Sequence, residues 1–229
     1  MIGPGGVNAT VTLRNRMTGT PLWWVAQEVI LGNKEGGLAL AKNLLEKGAD
    51  IDAIGRDVDG NESTPLVLAA IAVNGGKEGG LVLATFLMEM GADVNAVCRG
   101  ADGSESTPLV LAARAVCKGE DGGLVLAKFL MEKGADVNAV CRGADGSETT
   151  PLLLAITAVG LSQKGGLALA TLLVERGVDV NAYHPSGRHH GASNDPVYAG
   201  WEASVYFYFS ITTVLLLCCF TFLPSCRVP

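Results

Sequence analysis

Two kinds of apolar run alternate along the chain. TPLVLAAIAV (64–73) is apolar on nearly every side of a helix, which predicts a helix buried between neighbours. LVLATFLMEM (81–90) carries Leu81, Leu83, Phe86 and Leu87 at helical spacing, which predicts a second helix whose stripe is core between stacked units. The Gly-rich stretch VNGGKEGG lies between them and reads as a link. Thr64 before Pro65 marks a helix start: the hydroxyl caps a free N–H, and proline lacks the N–H that would go unpaired. Gly91 sits just after the second run, where a left-handed C-cap belongs. An extended loop with an Asp-Gly pair follows, at Asp59-Gly60, Asp102-Gly103 and Asp145-Gly146 in successive copies. The pair favours a tight hairpin turn because both residues tolerate positive φ.

The pattern repeats. Thr-Pro-Leu opens at Thr20, Thr64, Thr107 and Thr150, spaced by 44, 43 and 43 residues. In the same phase LLEKGADIDA ends at Ala53, LMEMGADVNA at Ala96, LMEKGADVNA at Ala139 and LVERGVDVNA at Ala182. Residues 91–107 and 134–150 differ only at Ser106 versus Thr149, so the units arose by internal duplication. Four units follow: 20–63, 64–106, 107–149 and 150–182. Val7-Asn8-Ala9 stands as far before Thr20 as Val94-Asn95-Ala96 before Thr107. Segment 1–19 therefore reads as the remnant of a preceding unit, with coincidence in a three-residue match as the alternative.

These motifs resemble the ankyrin repeat, over about 20–182. That family's unit is a hairpin loop and two antiparallel helices in 33 residues, opened by Thr-Pro-Leu-His and closed by Leu-Leu-Glu-x-Gly-Ala-Asp-Val-Asn. The resemblance implies an all-α fold: a solenoid of stacked helix–turn–helix units with hairpin-like loops. Two departures stand out. The family's His is Trp23, Val67, Val110 and Leu153 here, so the hydrogen bonds of that His are expected to be missing. Each unit is also about ten residues longer. Counting from Thr107 to Gly134 and on to Thr150 assigns six extra residues to the link between helices and four to the hairpin. Loops accept added length at little entropic cost.

The chain changes character after Ala182. Segment 183–204 is polar, rich in Pro, Gly and Ser, and reads as a linker holding all three histidines, His184, His189 and His190. VYFYFSITTVLLLCCFTFL (205–223) then runs without a charge, close to the length that spans a bilayer's hydrocarbon core, with Tyr206 and Tyr208 placed for one interface. Only 224–229 follow. This segment reads as a C-terminal apolar helix and candidate tail anchor, with the repeats facing the cytosol. A degenerate fifth unit capping the array and an appended artefact are the alternatives. Residues 1–19 contain no apolar core of the kind a secretory signal needs. The expected location is cytoplasmic, with or without a membrane tether.

Composition narrows the function. Of 229 residues, 48% are hydrophobic and 17% charged, which argues against wholesale disorder. The net charge is -6, a poor match for a nucleic-acid binder. The six cysteines form no C-x-x-C pair, so neither a zinc knuckle nor a disulfide framework is indicated. Cys98 and Cys141 recur because the loop was copied, whereas a nucleophile need occur once. The glycine pairs lack the Lys-Ser/Thr of a phosphate loop, and DVDGNES (57–63) lacks the ligands of a calcium loop. No catalytic, cofactor or metal residue is assigned. An enzyme or metal protein using the His-bearing tail is the remote alternative.

What remains is surface. In the resembled family, partners bind the hairpin tips and the concave face beside the first helices. By that resemblance the candidate tip residues are Arg56, Asp57, Asp59 and Glu62; then Arg99, Asp102, Ser104 and Glu105; then Arg142, Asp145, Ser147 and Glu148. Side by side they would present one row of Arg and one of carboxylate, a ladder able to set a partner's register. The plainer reading is charge for solubility, repeated by duplication. Arg114 and Gln27 on first helices are weaker candidates. The expected function is a non-catalytic protein–protein interaction scaffold, its partner basic or mixed in charge because acidic residues outnumber basic ones across 20–182.

Overall fold

The computed structural model describes residues 6–12 and 16–180. Segments 183–204 and 205–223, with the histidine tail and the apolar helix expected there, lie outside the described residues. Four helix pairs stand in order: α1 (Pro21–Ile30) with α2 (Lys34–Glu46), α3 (Pro65–Asn74) with α4 (Glu78–Glu89), α5 (Pro108–Lys118) with α6 (Asp121–Glu132), and α7 (Pro151–Gly160) with α8 (Gly166–Glu175). Each first helix packs on its own second helix and on the first helix of the next pair. One apolar core runs unbroken from Trp23 to Leu173. A smaller cluster of Leu22, Val25, Ala41 and Leu44 closes the N-terminal end.

Local sequence starts and stops these helices as expected. Thr20, Thr64, Thr107 and Thr150 are extended N-caps whose hydroxyls accept the backbone N–H of Trp23, Val67, Val110 and Leu153. The second helices end on left-handed glycines, Gly48, Gly91, Gly134 and Gly177. The residue after each closes a six-residue ring: Ala49 N–H reaches Leu44 O at 3.0 Å, Ala92 reaches Leu87 at 3.0 Å, Ala135 reaches Leu130 at 2.9 Å, and Val178 reaches Leu173 at 3.0 Å.

The extra length between helices is not loop. Gly79 and Gly80 lie inside α4 and Gly123 inside α6, so the second helices begin before Leu81 and Leu124. Only Gly119 and Glu120 separate α5 from α6. The glycines are there for approach: a Cβ on Gly80 would stand 2.7 Å from Ala69 O, and one on Gly123 would stand 2.7 Å from Val116 N. The two helices of a pair touch backbone to backbone, which no side chain would allow.

The loops between pairs are short hairpins: β1 (Val11–Thr12) with β2 (Thr18–Gly19), β3 (Gly55–Arg56) with β4 (Glu62–Ser63), β5 (Cys98–Arg99) with β6 (Glu105–Ser106), and β7 (Cys141–Arg142) with β8 (Glu148–Thr149). The solenoid of helices therefore carries a β layer. The first three hairpins join edge to edge into one six-stranded antiparallel sheet, through Thr18 opposite Arg56 and Glu62 opposite Arg99.

Candidate partner-binding surface

Each hairpin tip is built by its Asp. Asp102 Oδ1 accepts Ser104 N–H and Asp145 Oδ1 accepts Ser147 N–H, both at 2.9 Å. Hydrogen bonds from Ser104 and Ser147 hold the Asp102 and Asp145 carboxyls below their ordinary range. Only the glycine takes positive φ: Gly60 at 92°, Gly103 at 83° and Gly146 at 78°. The expectation that Asp shares the left-handed region is corrected. Asp is there to accept a hydrogen bond two residues on, and Gly alone makes the reversal. In the first loop Asp57 takes over, accepting from the N–H of Asp59 (3.0 Å) and of Asn61 (2.9 Å) and from Asn61 Nδ2 (2.9 Å). Those bonds direct Asp57 at its own turn.

The charges behind the tips do not form separate rows. Within each hairpin the Arg stands opposite the Glu: Arg56 and Glu62, Arg99 and Glu105, Arg142 and Glu148. All three are ion pairs, the latter two at 3.5 Å. Because Glu62 also faces Arg99 across hairpins, the order along the sheet is alternating. The reason is register. The two residues are six apart on opposite arms of a turn, and antiparallel pairing sets them side by side.

A row that sequence reasoning missed lies beside this ladder. Ile54, Val97 and Val140 are 58%, 45% and 52% exposed at the same place in three units. Each is two residues before the Arg, so they share the outward face of the strand. The residues between, Gly55, Cys98 and Cys141, point inward. The signal was present as a β-branched residue fixed before each Arg, in a loop read only for its charges.

Two further lines of contact hold successive units in register. Asn95 Oδ1 accepts Asp136 N–H at 2.8 Å, and Asn138 Oδ1 accepts Asp179 N–H at 2.8 Å. Asn8 does the same to Asp50 at 2.7 Å and adds a bond from Nδ2 to Gly48 O. Asp93 and Asp136 also form local turns, accepting from Asn95 and Asn138 N–H. The missing His is partly replaced as well. The indole N–H of Trp23 donates to Ser63 O at 3.1 Å in the next hairpin, so the expected loss of that bond is corrected for the first unit. Trp23 fits because its neighbours are Gly19 and Gly55, where a Cβ would collide with the ring.

Gln27, Ile71, Arg114 and Thr157 occupy one position of the four first helices. The Arg114 Nε is buried without a hydrogen-bond partner. Its charge favours the thiolates of Cys98, Cys117 and Cys141, yet burial outweighs it and pushes all three thiols up, Cys117 to about 11. Cys117 Sγ donates to Leu154 O at 2.9 Å, another bond between units. Among the described residues no group of three or more His, Cys, Asp or Glu is placed to hold a metal ion, and no helix is long and apolar enough to cross a membrane.

A family model of the ankyrin repeat matches residues 104–142, which run from the second arm of one hairpin through α5 and α6 to the next. Helix pairs and hairpins of the same design recur on both sides of that match. The chain is an ankyrin repeat protein. Ankyrin repeats generally mediate protein–protein interaction, which supports a scaffold role for this chain. A search of curated proteins finds no match. Within the ankyrin frame, the twelve tip residues and the Ile54–Val97–Val140 row lie on the hairpin layer. Gln27 and Arg114 lie on the first helices α1 and α5.

Proposed function

We propose that this ankyrin array is a non-catalytic cytoplasmic adaptor that grips a protein partner on the outward face of its hairpin sheet. The observation that carries the reading is the exposed Ile54, Val97 and Val140 row beside the alternating Arg–Glu ladder. β-Branched side chains in water contribute nothing to the core, and apolar area removed from water on docking gives affinity. The charges alongside give register more than strength, because each is already paired within its hairpin. Successive hairpins stand about 10 Å apart at two strands per unit, so the partner presents apolar groups at that spacing, bordered by charge of both signs.

The test is a binding comparison in the full chain. Ile54→Ser, Val97→Ser and Val140→Ser together should abolish capture of the partner. Val82→Ser with Val125→Ser, equally exposed on the second helices, should leave it unchanged. Equal effects of the two sets would refute the hairpin face. The tail-anchored form of this reading rests on 205–223, outside the described residues, and is tested with the experiment below.

A further inference from the structure

The two ends of the array are finished differently. At the N-terminal end Val7 packs against the small cluster of Leu22, Val25, Ala41 and Leu44, and Asn8 bonds to Gly48 and Asp50. The C-terminal end lacks any such cover among the described residues. Positions that the next unit buries elsewhere emerge in the last one. Leu66 and Leu109 are 0% and 1% exposed and Val73 and Val116 are 3% and 2%, whereas Leu152 and Val159 are partly open. Ile156 and Val174 open likewise relative to Ala113 and Met131. Leu167 and Val180 reach 43% and 46%. These six apolar residues lie on α7, α8 and the loop beyond.

We infer that this face is the docking site of the chain's own segment 205–223. That segment has no charge, so entering an apolar face costs it no ion desolvation. The polar stretch 181–204 separates it from the face, 24 residues that can reach across a helix pair. A tether of that length holds the segment at an effective concentration in about the millimolar range. The solenoid would otherwise end on exposed core positions, and a repeat array needs a terminal element that shields them. The tail is then the array's cap, and 205–223 is held away from lipid by the units before it.

The full chain tests this by disulfide trapping. Leu167→Cys and, separately, Val180→Cys place a thiol on the face, and the native Cys218 and Cys219 lie in the segment. Leu40→Cys, 50% exposed on α2 near the opposite end, is the control. Under mild oxidation the first two variants should cross-link within one chain to Cys218 or Cys219 about tenfold more than the control, as tethering predicts. The yield should persist when phosphatidylcholine vesicles are added. Yields no higher than the control from both variants would overturn the inference. So would cross-links found only between chains, or a cross-link lost as the protein moves onto the vesicles, which is the tail-anchor outcome. None of these results bears on the hairpin face, so the adaptor reading stands or falls separately.

Discussion

Asp52 accepts the backbone N–H of Asp93 at 3.0 Å, making with a carboxylate the bond that Asn95 makes to Asp136 with an amide. Burial, with the charges of Asp93 and Asp50, raises the Asp52 pKa, partly countered by the bond from Asp93. An acid raised in the folded state favours folding while it is protonated, and that contribution is lost as pH rises through its folded pKa. Asp52→Asn should therefore be more stable than the wild type, by roughly 0.5–1.5 kcal/mol near neutrality. Its new amide would be placed to reach Gly91 O as Asn95 Nδ2 reaches Gly134 O. Urea melts across the acid-to-neutral range check this: the gain should shrink toward acid. A variant less stable at every pH would contradict the ladder's logic.

Trp23 and Gly55 form a size-matched pair. The other units place Val67 or Val110 on the helix and Cys98 or Cys141 on the strand. Gly55→Cys should cost about 1–3 kcal/mol by overpacking against the indole. Adding Trp23→Val should recover part of that loss, because the clash goes although the bond to Ser63 goes with it. A double-mutant cycle measures the coupling. Additive losses would show that the ring moves aside.

Ser162 ends α7 with φ of 57°, at the position where Gly76 and Gly119 end α3 and α5 with φ of 69° and 80°. A side chain there strains a left-handed residue by about 1–2 kcal/mol. Ser162→Gly should raise thermal stability by about 1 kcal/mol, since relief of strain exceeds the added entropy of an unfolded glycine. Thermal unfolding monitored by circular dichroism reads this directly.

Exchanging Arg99 and Glu105 keeps the pair and reverses one rung of the ladder. Exposed pairs of this kind are worth under about 1 kcal/mol, so stability should hardly move. Binding should fall if the partner reads the charge order, and should persist if the charges only keep the face soluble. Calorimetric titration of both proteins with the partner distinguishes the two.

The buried thiols should resist modification. At neutral pH Cys117, pushed up to about 11 and bonded to Leu154 O, holds almost no thiolate. Iodoacetamide labelling followed by peptide mapping should find half-buried Cys98 modified before Cys141 and Cys117. Rapid labelling of Cys117 would mean that α5 and α7 separate readily.

The copied block itself was legible from sequence. Thr-Pro-Leu, the glycine after each second helix and the 43-residue spacing are local or periodic signals, and caps and phase require nothing from the rest of the chain. What the sequence left open depends on which residues meet across units. The glycine pairs read as linkers because their helix-breaking tendency is local, while the neighbouring backbone they admit is seven or more residues away on another helix. Arg and Glu read as two rows because strand register is fixed only when the hairpin closes. The acceptor role of Asn95 left no local trace because its partner lies 41 residues downstream. Ile54, Val97 and Val140 drew no reading beside the charges of their loop, and only the stacked hairpins reveal that they face water. Sequence sets what each block is; contact between blocks sets which of its atoms remain free to bind.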